Sequence, residues 1–389
     1  MARRFHRPPE PVPGVKRSRP APIIFCATGV TETVGGIASA NRNVLLALQT
    51  LGAEQRRPVR TLILNEPRKV SGLHRAFGGA RGPYSAALLS GALSAGLVVF
   101  DHVRLAVPLL ALPRVLRPPV AICAHGSEAA KRVRPASIRA FQQADVVLAN
   151  SAFTLGRMQR RFVFPGGVAC PLGLPPQFAI QPVPAPPNDD QIALVAADGK
   201  EKLLGDQVLL LVGRMDAGER EKGHRELIDI MPALNSRFPG AQLVFVGDGS
   251  DRPFLQEIAS ASASASSIFL TGRVDDGMLE RLYRRAYAFA MPSRQEGFGL
   301  AYLEAMNWAR PCIACHDDGG ADVVADEVTG LLVAQPIDPA NLRTAIERLL
   351  ENPAWARGLG KAGWARLQDQ FSAQAHQARV RALLAPLLE

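Results

Sequence analysis

Residues 287–311 read YAFAMPSRQEGFGLAYLEAMNWARP. The first seven have the apolar and aromatic make-up of a short buried strand, and from Leu300 to Ala309 the apolar positions recur at helical spacing. RQEGFGL between them is therefore a strand-to-helix turn. Such a turn leaves the amides of Phe298, Gly299 and Leu300 without helical partners, which suits phosphate or the oxygens of a polar ligand. Glu296 sits in the turn and Glu304 lies within the helix, whose side chains lean back toward its N-terminus. Two acceptors thus flank a patch of donors, an arrangement matched to a ligand that carries both hydroxyls and phosphates. Stabilisation by the helix dipole alone accounts for Glu296 but not for a carboxylate inside an apolar helix.

Working outward, the same strand-then-helix unit repeats along the chain. PIIFCATG (22–29), VRTLILNE (59–66), AGLVVFDH (95–102), PVAICAHG (119–126) and ADVVLANS (144–151) are short apolar runs that end in glycine or a polar residue. After the proline-rich stretch 171–191 the rhythm restarts with QVLLLVGR, AQLVFVGDG, SSIFLTGR, YAFAMPS, PCIACHDDGG and GLLVAQP. Runs this apolar are buried on both faces, as in parallel sheets. The expected fold is α/β, with two doubly wound Rossmann-like domains facing across a cleft. The expected divisions are a disordered basic tail over 1–20, an N-terminal domain over 21–175 and a linker over 176–207. A C-terminal domain follows over 208–371, then a last helix over 372–389 that packs back on the N-terminal domain. Ligands of such sheets bind beyond the carboxyl ends of the strands.

The bulk composition agrees with a two-domain globular chain: 389 residues, 47% hydrophobic and 21% charged. Forty-five Lys and Arg against thirty-five Asp and Glu give a formal +10, which favours anionic partners without choosing among them. Five scattered cysteines make no disulfide framework, so the expected compartment is cytoplasmic. Cys312 and Cys315 form a C-x-x-C, but within a short strand that spacing turns the two thiols to opposite faces. The arginine- and proline-rich start lacks the apolar core of a signal peptide, and the longest apolar stretch, 86–100, is too short to span a bilayer. Ala259–Ser267 is a short low-complexity run expected as a helix end or loop.

LLLVGRMDAGEREKGHREL (209–227) places Arg214 after a strand and Lys222 before an amphipathic helix, each beside a glycine. The pair suits a diphosphate; a surface salt-bridge network with Asp216, Glu219 and Glu221 is the alternative. VFVGDGSDR carries Gly247 and Gly249 but has Arg252 where a dinucleotide fingerprint needs its third glycine, and it does not open the first βα unit. Scattered arginines and 6% aromatics speak against a nucleic-acid-binding protein, the alternative from another class.

Taken together these stretches resemble the retaining glycosyltransferases of the GT-B fold, family 4, from Pro22 to about Phe371. EGFGLAYLE reproduces the family's E-x7-E motif, VGRMDAGEREKGH is similar to its Arg…Lys-Gly clamp, and VTETVGGIASANRNVLLAL to its Gly-Gly loop and following helix. The resemblance implies that Arg214 and Lys222 hold the donor diphosphate and that Glu304 binds the nucleotide ribose. Glu296 would contact hydroxyls of the transferred sugar, beside Gly297 and the amides of Phe298, Gly299 and Leu300. Gly35 and Gly36 would let the N-terminal loop approach donor phosphate and acceptor, and His125 would stand near the reacting centre, where it is assigned with Glu296 to catalysis. Asp101 and His102 are weaker candidates. Asp318, Gly319, Gly320 and Asp322 resemble a family loop near the donor, with Ala321-Asp322 where many members have Pro-Glu. There is no D-x-D, so no metal and no cofactor is expected beyond a UDP- or GDP-sugar donor. The implied activity is transfer of a hexose, glucose or mannose, to a glycan or lipid-linked glycan in exopolysaccharide or lipopolysaccharide assembly; a sugar-nucleotide epimerase is the alternative within the fold. Lys131, Arg132, Arg134, Arg139, Arg157, Arg160 and Arg161 form a basic face expected to touch anionic membrane peripherally.

Overall fold

The computed structural model describes residues 20–389 except 32–34, 127, 129–132, 165 and 182–190. The basic tail, Lys131, Arg132 and the proline-rich heart of the linker therefore lie outside the described residues.

The first sheet contains β1 (Ile23–Ala27), β2 (Val59–Ile63), β3 (Lys69–Ser71), β4 (His74–Ala76), β5 (Leu97–Phe100), β6 (Val120–Ala124), β7 (Val146–Ala149) and β8 (Gly167–Ala169). Their order is β3-β4-β2-β1-β5-β6-β7-β8, parallel throughout except for the β3–β4 hairpin. Alternation along β1 shows why it is apolar at every position. Ile24 and Cys26 join the core on one face of the sheet, while Ile23, Phe25 and Ala27 join that on the other.

The second sheet is built from β11 (Gln207–Val212), β12 (Ala241–Val246), β13 (Ile268–Gly272), β14 (Ala288–Ala290), β15 (Cys312–Cys315) and β16 (Gly330–Val333). Its order, β13-β12-β11-β14-β15-β16, is all parallel and reverses direction between β11 and β14. The first sheet reverses in the same way between β1 and β5. These switch points open the crevices in which doubly wound sheets hold ligands, and Thr28–Val30, Asp101, Arg214 and the 291–299 turn leave the strands there. Both thiols of the C-x-x-C are buried in β15, and burial raises them, Cys315 to about 12.

The linker expectation needs correction. Residues 193–203 form an antiparallel hairpin of β9 (Ala193–Val195) and β10 (Glu201–Leu203). Both its ends are fixed to the second domain: at the turn Ala197 N donates to Ile268 O at 2.8 Å, and at the base Ile192 and Leu204 are buried in that domain's core. Residues 176–181 lean on the same domain, with Gln181 N donating to Asn307 Oδ1 at 3.1 Å. Helix Pro353–Gln370 closes the second core through Ala356, Leu359 and Leu367. The chain then crosses back, and helix Ala373–Leu384 buries Val380 and Leu384 against Leu48 and Leu51 of helix Gly36–Glu54.

Candidate active site

The turn after β14 is shaped by glycines that nothing larger could replace. Gly299 has φ +92° and caps helix Leu300–Asn307; an added Cβ there would overlap the Tyr302 ring. At Gly297 it would overlap His125 O, and at Gly126, φ +96°, it would stand 2.9 Å from Gly297 Cα. The ends of β6 and β14 are therefore in backbone contact across the cleft. Ser151 Oγ, at the N-terminus of helix Ala152–Arg161, donates to Gly297 O at 2.6 Å, and Thr154 Oγ1 donates to it at 3.2 Å. On the remaining side Leu300 Cδ1 lies 3.7 Å from where a Cβ of Gly36 would be, so the Gly-Gly loop faces the turn from the first domain.

Glu296 is held at three points. Its amide donates to Asp318 Oδ2 at 2.9 Å, its carbonyl accepts from Gly319 N at 2.9 Å, and its Oε2 lies 2.7 Å from Lys222 Nζ. Burial raises the carboxyl's pKa, but the Lys222 charge and hydrogen bond, with the amides of Phe298 and Gly297, outweigh it and hold it below the usual carboxylate range. The Phe298 amide, expected to face a ligand, donates to the Glu296 carboxylate, and its ring is buried edge-on against Phe371. Lys222 reaches Glu296 past Gly213, where a Cβ would stand 2.9 Å from the lysine Cδ, and Gly223, φ +85°, seats the clamp loop against Pro292.

Arg214 is exposed at the end of β11. Of the acids near it in sequence, Asp216 Oδ1 accepts from Gly218 N, and Glu221 Oε1 from Gln295 Nε2. Glu304 is half-buried, and burial lifts its carboxyl to about 7 although Tyr283 Oη donates to it at 2.7 Å. Burial likewise raises Asp318 to about 7, against the amides of Gly320 and Glu296.

In the first domain His125 Nε2 lies 2.9 Å from Asp101 O, and its amide donates to Glu128 Oε2. Asp101 is buried; its Oδ2 accepts from Thr28 N, Thr28 Oγ1 and Asn41 Nδ2, which ties the loop after β1 to the end of β5. His102 meets Glu128 at 3.5 Å. Asp322 turns away from the donor side. Its Oδ2 accepts from the amides of Ala152 and Phe153, so it caps a helix of the opposite domain. Ser151, Thr154 and Tyr283 were not singled out by sequence, because their partners are remote along the chain. Ser151, the residue before a helical run, carried the signal of an N-cap and no hint of the second domain.

Residues 206–352 match the family model for glycosyl transferases group 1. That match spans the second domain alone, so it is in this domain that the chain is similar to the group 1 glycosyltransferases. The chain is 33% identical over 170 residues to glycogen synthase of Mycobacterium tuberculosis, a match covering 44% of this chain and 40% of the relative. It is 28% identical over 277 residues, 67% and 68% of the two chains, to a GDP-mannose-dependent alpha-(1-6)-phosphatidylinositol monomannoside mannosyltransferase of Mycolicibacterium smegmatis. Among solved structures, Anabaena HepE in complex with UDP and glucose superposes with TM-score 0.68 at 18% identity, covering 94% of this chain and 99% of that one. Sucrose-phosphate synthase from Thermosynechococcus elongatus gives 0.69 at 23% identity, with 94% and 99% covered. The chain thus shares the fold of these two structures, GT-B, and its matched domain is the one that carries Arg214, Lys222, Glu296 and Glu304.

Proposed function

We propose that the chain is a retaining hexosyltransferase that moves glucose or mannose from a UDP- or GDP-sugar to a glycan or lipid-linked glycan, in exopolysaccharide or lipopolysaccharide assembly. The observation that carries this reading is the Lys222–Glu296 pair, 2.7 Å long, at the switch point of the second sheet and opposite the Gly-Gly loop of the first. Lys222 and Arg214 supply positive charge to the leaving diphosphate, where charge develops as the glycosidic bond breaks. In this reading those cations take the place of a metal. Glu296, kept ionised by Lys222, accepts hydroxyls of the transferred sugar, and Glu304 accepts those of the ribose. A carboxylate nucleophile of the kind used by retaining glycosidases must be unencumbered beside the anomeric carbon; Glu296 is instead bound to Lys222 and two amides. Front-face transfer, with the leaving phosphate helping to deprotonate the acceptor hydroxyl, is the mechanism that fits. The sugars considered agree with the names of the relatives, one dependent on GDP-mannose and one solved with UDP and glucose. A donor panel with hydrolysis readout, followed by NMR of the product's anomeric proton, tests the whole. An inverted product overturns retention, and silence with every UDP-, GDP- and ADP-sugar overturns the activity.

A further inference from the structure

A cleft of about 500 Å³ lies beside this site, lined by Phe153, Arg157, Arg160, Arg161, Arg294, Gln295 and Asp317. Its walls come from both domains. Helix Ala152–Arg161 of the first supplies three arginines, and the loop after β14 supplies the fourth. Four arginines and a single acid, Asp317, line the cleft, and arginine rather than lysine provides every positive charge. Arg160 and Arg161 also complement the dipole at their helix's C-terminus. That role does not extend to Arg157, a turn earlier and stacked 5.4 Å over Phe153, or to Arg294 in the other domain, which meets Glu226 at 3.3 Å.

Like charges gathered in a concavity raise the local potential and attract an anion, and the planar fork of arginine matches the oxygens of phosphate. We propose that this cleft binds a phosphate group carried by the acceptor. The assignment rests on the glycosyltransferase reading, because Gln295 lines the cleft and the next residue, Glu296, faces the sugar. Three of the arginines first grouped as a membrane-facing patch thereby line a pocket that takes one headgroup-sized anion. The phosphate is borne either by a lipid or by a soluble ester.

Binding of inorganic pyrophosphate is measured by calorimetry at low salt in a Lys222→Ala background, which removes one of the two cations of the donor clamp. Adding Arg157→Gln, Arg160→Gln and Arg161→Gln weakens binding by at least about tenfold, and adding Arg294→Gln alone, which spares the helix, also weakens it. Undiminished binding in both variants, or binding already lost with Lys222→Ala alone, overturns the site. Wild-type protein that sediments with phosphatidylglycerol vesicles and is released by pyrophosphate assigns the phosphate to a lipid. Pyrophosphate binding without sedimentation assigns it to a soluble ester, and either result upholds the site. In transfer assays wild type prefers a phosphorylated acceptor over its dephosphorylated form and the triple arginine variant loses that preference. Equal use of both forms by wild type overturns the acceptor assignment while leaving the transferase reading intact.

Discussion

Lys222 Nζ and Glu296 Oε2, 74 residues apart in sequence, stand 2.7 Å apart and join the loop leaving β11 to the turn leaving β14. The lysine charge keeps the carboxylate ionised and the contact positions both side chains, so the two cannot be altered independently.

Lys222→Ala is expected to lower kcat/KM by on the order of a hundredfold to a thousandfold, the effect of removing one preorganised group from a developing anion. Glu296→Gln is expected to fall in the same range. The double variant should lose far less than the product of the two, because each single change already disables the shared pair. Multiplying losses in steady-state kinetics refute the coupling.

Glu304 is lifted to about 7 by burial. Its carboxylate, the better acceptor for ribose hydroxyls, forms as pH rises through that value, so donor KM should fall between pH 6 and 8. Glu304→Gln should flatten the profile and raise KM, whereas Asp318→Asn should leave its midpoint in place. An unchanged slope in Glu304→Gln rejects the assignment.

The same raised carboxyls bear on stability. Glu304 and Asp318 hold protons in the folded chain that the unfolded chain releases near 4.5 and 3.8. Stability from these two groups is therefore greatest below those values and is lost as pH climbs to about 7. Asp318→Asn should reduce that loss, read as melting temperature against pH.

Gly297→Ala places a methyl group against His125 O and 3.1 Å from Asn150 Nδ2. The expected result is a wider cleft, seen as a larger radius of gyration in small-angle scattering, and a loss in kcat/KM of about a hundredfold as the reacting groups separate. A compact, active variant contradicts the contact.

With charge compensation by Arg214 and Lys222, as proposed, transfer should persist in excess chelator. Activity that disappears and returns with Mg²⁺ or Mn²⁺ counts against the clamp.

Much of this fold is legible in local sequence. LVVF between Gly96 and Asp101 reads as a buried strand, and it is one; the turn at Glu296 to Leu300 is where strand and helix periodicities meet. The strands that escape are three residues long, too short for a periodicity to show, and some have no apolar signal either. Lys69–Ser71 is exposed at all three positions and His74–Ala76 at two, so it is pairing, with each other and of His74–Ala76 with β2, that makes them strands. Within the site, residue types and spacing single out Glu296, Glu304 and Lys222. That Gly126 abuts Gly297, or that Asp322 caps a helix of the other domain, depends on how the domains meet, which no window of sequence contains.

The polypeptide passes between its domains twice, and the two passages run side by side. Leu174 N donates to Phe371 O at 2.7 Å, His376 Nδ1 meets Pro171 O at 2.9 Å, and Gly173 leaves no room for a side chain beside Ser372 O. Two parallel crossings act as the paired pins of a door hinge. They resist shear and torsion and leave one easy rotation, about the line through them. Points far from that line would travel furthest, so an opening of the cleft would be a swing of fixed axis rather than a loosening of either sheet.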